Sequence, residues 1–160
     1  MFKYILEDIS RNTRIPQKDV EYILKSYVST CVQTLNKYPN KAIPFLDLML
    51  LYHEHPQGLE DCIPWGFIQR ECCEGYSVNM DELNTVVKEY RSLLLKSLGE
   101  GESCLIPKIG RFTFLDGKLR YWTSNSRDFK GRIFNSFRNE LNKFVKESER
   151  CKERLTELVA

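Results

Sequence analysis

The chain has 160 residues, 42% hydrophobic and 29% charged, with a formal net charge of +2. That is enough chain to bury a core, as one compact domain or two small interlocked ones, and the mix is ordinary for a globular protein. No apolar run reaches the ~18–20 residues that a bilayer span needs. Glu7 and Asp8 stand where a secretory leader carries its apolar stretch, so an intracellular protein is expected. The six cysteines (Cys31, Cys62, Cys72, Cys73, Cys104, Cys151) include no C-x-x-C pair. Cys31 and Cys72 fall at apolar positions of helical patterns, which favours reduced, mostly buried thiols over a disulfide framework.

In chain order, residues 2–12 place Ile5 and Ile9 on one side of a short amphipathic helix. Pro16 suits the first turn of a second helix, where its missing N–H is not needed. Val20, Ile23, Leu24, Tyr27, Val28, Cys31 and Leu35 then follow helical spacing, and Tyr38-Pro39-Asn40 ends the run. Residues 42–52, AIPFLDLMLLY, carry too little charge for a surface helix and read as a buried strand. His53 and His55, with Cys62 nearby, lack two further ligands at set spacing, so a linker with incidental histidines is expected.

The same plan recurs from about residue 63. IPWGFIQRECCEG is a short helix candidate, and Asn79 caps a longer one with Glu82 placed for a capping box. Leu83, Val86, Val87, Tyr90, Leu94 and Leu98 form its stripe, Gly99 and Gly101 stop it, and CLIPKIGRFTF reads as a strand. A fixed shift of 63 pairs Ile5 with Ile68, Lys25 with Lys88, Tyr27 with Tyr90, Ser29 with Ser92 and Leu35 with Leu98. It also pairs Ile43-Pro44 with Ile106-Pro107, and apolar residues match in between. An internal repeat is the reading, with residues 1–62 as the first half and 63–160 as the second. Beyond the second strand, Asp116-Gly117 marks a tight hairpin with LRYWTS returning. A polar turn, NSRD, leads into a last helix with Ile133, Phe137, Leu141, Phe144 and Val145 at helical spacing. Past about residue 148 the chain reads as a solvent-exposed helical extension or a frayed tail.

Short helix, longer helix, then an Ile-Pro-x-x-Gly-x-Phe strand: this order resembles the HU/IHF family of bacterial chromatin proteins. The resemblance rests on residues 106–114, IPKIGRFTF, as the family's first strand, on Ile9–Leu24 as its first helix-turn-helix, and on residues 134–145 as its closing helix. It implies an α+β fold in which the two halves form an intramolecular pseudo-dimer closed by a short hairpin and a C-terminal helix. It also implies double-stranded DNA as partner, in the cytoplasm at the nucleoid, with no cofactor. Three departures stand against family-style bending by an inserted proline. There is no room for a long arm between Phe114 and Gly131, no proline follows Pro107, and Asp47 stands where the repeat shift puts Gly110.

The charge distribution is uneven along the chain. Residues 1–60 hold seven bases and seven acids, whereas residues 104–146 hold ten bases and three acids. An excess on that scale suits a polyanion, or is a solvated basic face. Lys108 and Arg111 flank Gly110 where the resemblance places the DNA-facing saddle. Lys118, Arg120 and Arg127 lie on or beside the hairpin, where Trp122 either stacks on a base or belongs to the core. Lys130, Arg132 and Arg138 surround the start of the last helix, and Lys130-Gly131-Arg132 reads as a phosphate site at its N-terminus. No nucleophile–base grouping, phosphate loop or paired carboxylates can be assembled, so no enzyme is expected. Two alternatives remain: a protein–protein scaffold that has lost DNA binding, and a winged-helix regulator reading bases with residues 79–98.

Overall fold

The computed structural model describes residues 2–54, 61–123 and 129–159, and the expectations that touch His55 and Arg127 lie outside them. The fold is α+β: five helices and two small antiparallel sheets among the described residues. Helix α1 (Phe2–Thr13) and the longer α2 (Gln17–Lys37) precede strands β1 (Ile43–Phe45) and β2 (Met49–Tyr52). Helices α3 (Trp65–Tyr76) and α4 (Met80–Gly99) precede β3 (Cys104–Ile106), β4 (Gly110–Leu115) and β5 (Lys118–Thr123). Strand β6 (Lys130–Ile133) and helix α5 (Asn135–Val159) complete the order.

The helical stripes read from the sequence are the buried faces. Ile9, Val20, Tyr27, Cys31 and Leu35 share one core with Ile68, Leu83, Val86, Tyr90, Leu94 and Leu98. Helix α1 packs on both α2 and α4, so the two segments interlock instead of standing apart. Asn79 caps α4, its side-chain oxygen accepting from the Glu82 N–H at 3.0 Å.

Three expectations about the strands need correction. Residues 42–52 and 104–114 are not single strands: each folds into a hairpin with a tight turn. The turns are matched, with Leu48 N–H donating to Phe45 O at 2.9 Å and Ile109 N–H to Ile106 O at 3.0 Å. Those turns differ by 61 residues, while α1 and α3, and the starts of α2 and α4, differ by 63. The two Ile-Pro dipeptides therefore occupy different places: Pro44 lies inside β1 and Pro107 in the second turn. By turn geometry Asp47 corresponds to Lys108, and Met49, not Asp47, corresponds to Gly110.

The third correction concerns residues 130–133. They are strand β6, not the first turn of the last helix, which begins at Asn135. Strand β6 pairs with β2, Leu50 opposite Arg132 and Leu51 opposite Gly131, giving sheet order β1-β2-β6. The second sheet is β3-β4-β5. The physical reason is the open edge of β2, whose unpaired N–H and C=O groups take a strand from the far end of the chain. Gly131 permits the approach: a Cβ there would stand 2.6 Å from the Tyr121 ring and strike the Met49 methyl.

Candidate nucleic-acid interface

The turn chemistry sets which side chains face outward. Asp116 (φ 53°) and Gly117 (φ 74°) make the two-residue loop, pairing Leu115 with Lys118. Strand alternation then fixes the rest. Phe112 and Leu119 are buried, while Arg111 and Arg120 are exposed and Trp122 is half exposed. Directly opposed residues share a face, and the pairs are Leu105 with Arg111, Arg111 with Trp122, and Thr113 with Arg120. The outward face of β3-β4-β5 thus carries Arg111, Lys118 and Arg120 together with Leu105, Thr113, Leu115 and Trp122. No acid stands on those outward strand positions; Asp116 sits at the hairpin tip.

The inward side is held by Tyr121. Its hydroxyl donates to Ile109 O at 2.6 Å and its ring lies 4.8 Å from that of Phe112. The ring also passes over Gly110, where a Cβ would fall 2.6 Å from it and against the Trp122 carbonyl. With φ +151° as well, Gly110 is a position that only glycine fills without strain. Trp122 is therefore held outward by a rigid neighbour on the other side of the strand.

The remaining expected site residues are dispersed. Lys108 is exposed on the β3–β4 turn with φ 70°. Lys130 and Arg132 are exposed on β6, in the other sheet, beside Tyr52 and Leu50. The helix-terminus phosphate site read for Lys130-Gly131-Arg132 is not formed, because the segment is extended. Arg138 turns inward, its Nη1 donating to Leu119 O at 3.0 Å, and so fastens α5 to β5. Among the described residues no group of three or more His, Cys, Asp or Glu is placed to hold a metal, and no helix is long and apolar enough to cross a membrane.

No family model, curated protein or solved structure matches the chain.

Sequence reasoning missed Leu105, Thr113 and Leu115 on the outward face. The signal was present: once Asp116-Gly117 fixes the hairpin register, alternate residues on both strands follow. It also missed two related clefts. One, about 390 Å³, lies between the first hairpin turn (Leu46, Asp47) and Val87, Lys88 and Arg91 of α4. The other, about 320 Å³, lies between the second turn (Pro107, Lys108) and Leu24, Lys25 and Val28 of α2. Each turn thus overhangs the long helix of the other segment. In the first cleft Arg91 is committed, ion-paired to Glu140 and reaching Asp47 O at 3.4 Å.

The tyrosines beneath the turns differ. Leu46 N–H donates to the Tyr27 hydroxyl at 3.0 Å. The Tyr90 hydroxyl is buried and finds no partner among the described residues, because its counterpart of Leu46 is Pro107, which has no N–H. Burial raises the pKa of both tyrosines above the ordinary phenol value.

Proposed function

We propose that this chain binds double-stranded DNA, largely through phosphates and with little sequence preference, as an architectural protein of HU/IHF type in which one chain forms the pseudo-dimer. The observation that carries the reading is the outward face of β3-β4-β5: Arg111, Lys118 and Arg120 with half-exposed Trp122 and no acid among the outward strand residues. Long basic side chains at two-residue spacing stand about 6.6 Å apart along a strand, close enough for several to neutralise one duplex backbone together. Lys108 at the turn extends that face, and Lys130 and Arg132 supply a second basic edge. The recurrence of helix, helix and hairpin, and the two clefts with exchanged partners, support the pseudo-dimer. On this reading the protein works at the nucleoid. The short two-residue hairpin loop leaves docking without an intercalating arm as the mode of binding.

The winged-helix alternative is less well supported, because α4 packs against α1, α2, α3 and α5. A recognition helix needs a face clear of its own domain.

The test is anisotropy of a labelled duplex of about 30 bp titrated at several salt concentrations, with a log K against log salt slope near −0.9 per phosphate. The Arg111→Ala/Arg120→Ala variant is expected to flatten that slope by about 1.8 and to weaken binding alike on unrelated sequences. Absence of binding at low salt overturns the proposal and leaves the protein–protein scaffold in its place.

A further inference from the structure

The two clefts beneath the hairpin turns match position by position, and their differences run in one direction. On the helix side, the shift of 63 sets Leu24, Lys25 and Val28 of the second cleft against Val87, Lys88 and Arg91 of the first. On the turn side, the shift of 61 sets Pro107 and Lys108 against Leu46 and Asp47. In the first cleft Arg91 is tied to Asp47 O and to Glu140, so its charge is answered within the chain. In the second, Val28 takes that place and leaves the wall apolar. The turn residue changes sign as well, from Asp47 to Lys108. Two exposed lysines, Lys25 and Lys108, thus flank the second cleft, and no acid lines it among the described residues. The floor differs in the same sense. The Tyr27 hydroxyl accepts from the Leu46 N–H and meets the Cys31 thiol. At the counterparts of those two partners Tyr90 finds Pro107 and Leu94, and neither bears a matching group. Tyr90 is only 2% exposed, and its hydroxyl is left with a proton and no acceptor among the described residues.

We infer that the second cleft is a binding site for a small amphipathic carboxylate. One carboxylate oxygen accepts from the Tyr90 hydroxyl, the charge lies between Lys25 and Lys108, and a short apolar tail runs along Leu24, Val28 and Pro107. The volume of about 320 Å³ stands at the small end of the range for ligand pockets. A buried hydroxyl without an acceptor is destabilising, and an ionised oxygen is the strongest acceptor it can meet. Exposed lysines add little on their own, and Lys25 is shared with Glu21 at 2.7 Å. They select the sign of the ligand more than they hold it. The tail supplies the remaining affinity, because the walls take it out of water. The hydroxyl is closed off from bulk water, so the carboxylate meets it by easing the Pro107–Lys108 turn off the ring. Apart from Lys108 the site shares no residue with the outward face of β3-β4-β5, and it stands whether or not that face binds DNA.

The experiment is an amide chemical-shift titration of the isotope-labelled full chain, without DNA and near neutral pH, with octanoate, octanol and octylamine as probes. Octanoate is expected to give saturable shifts at Val28, Tyr90 and Lys108 with a Kd of about 1 mM, and none at Val87 and Lys88 of the first cleft. Octanol should bind about fivefold more weakly, and octylamine should not bind. Tyr90→Phe should weaken octanoate about tenfold. Its thermal midpoint should be no lower than the parent's, which separates a lost contact from lost folding. Lys25→Gln/Lys108→Gln changes only exposed side chains, so it carries the test even if Tyr90→Phe folds poorly. It should bring octanoate down to the affinity of octanol and leave octanol unchanged. The inference is overturned by the absence of saturable shifts, by equal binding of octanoate and octylamine, or by equal shifts in both clefts. A folded Tyr90→Phe that binds like the parent, or an octanoate preference that survives the loss of both lysines, overturns it too.

Discussion

Two tyrosines at matching places show how a single missing N–H changes what a side chain contributes. Tyr27 stacks on Phe45 with ring centres 5.3 Å apart and accepts from Leu46, tying α2 to its own hairpin turn. Tyr27→Phe leaves that buried N–H without an acceptor and should destabilise the fold by about 1–3 kcal/mol. Tyr90→Phe removes a hydroxyl that has no partner to lose, so stability should hold or rise, within about 0.5 kcal/mol of the parent. Urea unfolding of both variants measures the contrast; equal losses would show that the Tyr90 hydroxyl is bonded after all. The pairing of Tyr27 with Tyr90 was legible in the sequence as a shift of 63. Their difference was not, because it depends on the hairpins standing at a shift of 61, which appears only once the turns are closed. The same two-residue slip makes Met49 instead of Asp47 the counterpart of Gly110, and pairs Asp47 with Lys108.

Among the elements, β6 is the one whose kind changed, from helix start to strand. KGRI offers no periodicity of its own, and its partner Met49–Tyr52 lies some eighty residues earlier, so no local signal distinguishes a strand from the first turn of α5. The helices were legible because 3.6-residue spacing is local and repeats over several turns. The β4–β5 hairpin was legible because Asp-Gly specifies its loop. Half of the candidate face followed from that: Arg111, Lys118 and Arg120 are outward by alternation, whereas Lys130 and Arg132 needed the distant pairing to be placed at all. Gly131 tests the element directly. Gly131→Val drives side-chain atoms into the Tyr121 ring, which is pinned by its bond to Ile109 O, and should cost about 1–3 kcal/mol. If thermal unfolding shows no loss, β6 does not pass beneath Tyr121 as described.

At the scale of the molecule, both sheets and the interlocked helices close over one core that contains several titratable groups in neutral form. Burial pushes the Cys104 thiol from 9.0 up to about 11, and raises Cys31, Tyr27 and Tyr90 further. In the unfolded chain these groups ionise at their ordinary values. Stability should therefore be full below about pH 9 and fall as pH rises toward 11, each such group contributing up to about 1.4 kcal/mol per pH unit. Urea midpoints measured between about pH 8 and 10.5 check the slope, and a flat profile would mean that these thiols and phenols reach solvent. The order in which the chain is made carries a different consequence. The first sheet receives its third strand from residues that follow β2 by about eighty positions, so at roughly 5–20 residues per second the nascent hairpin waits on the order of 4–16 s for its edge to be covered. During that interval an apolar strand edge is open to any neighbouring chain. Closure of this sheet is thereby tied to the synthesis of residues 130–133, and crowded polysomes become the place where the chain is most exposed to misassembly.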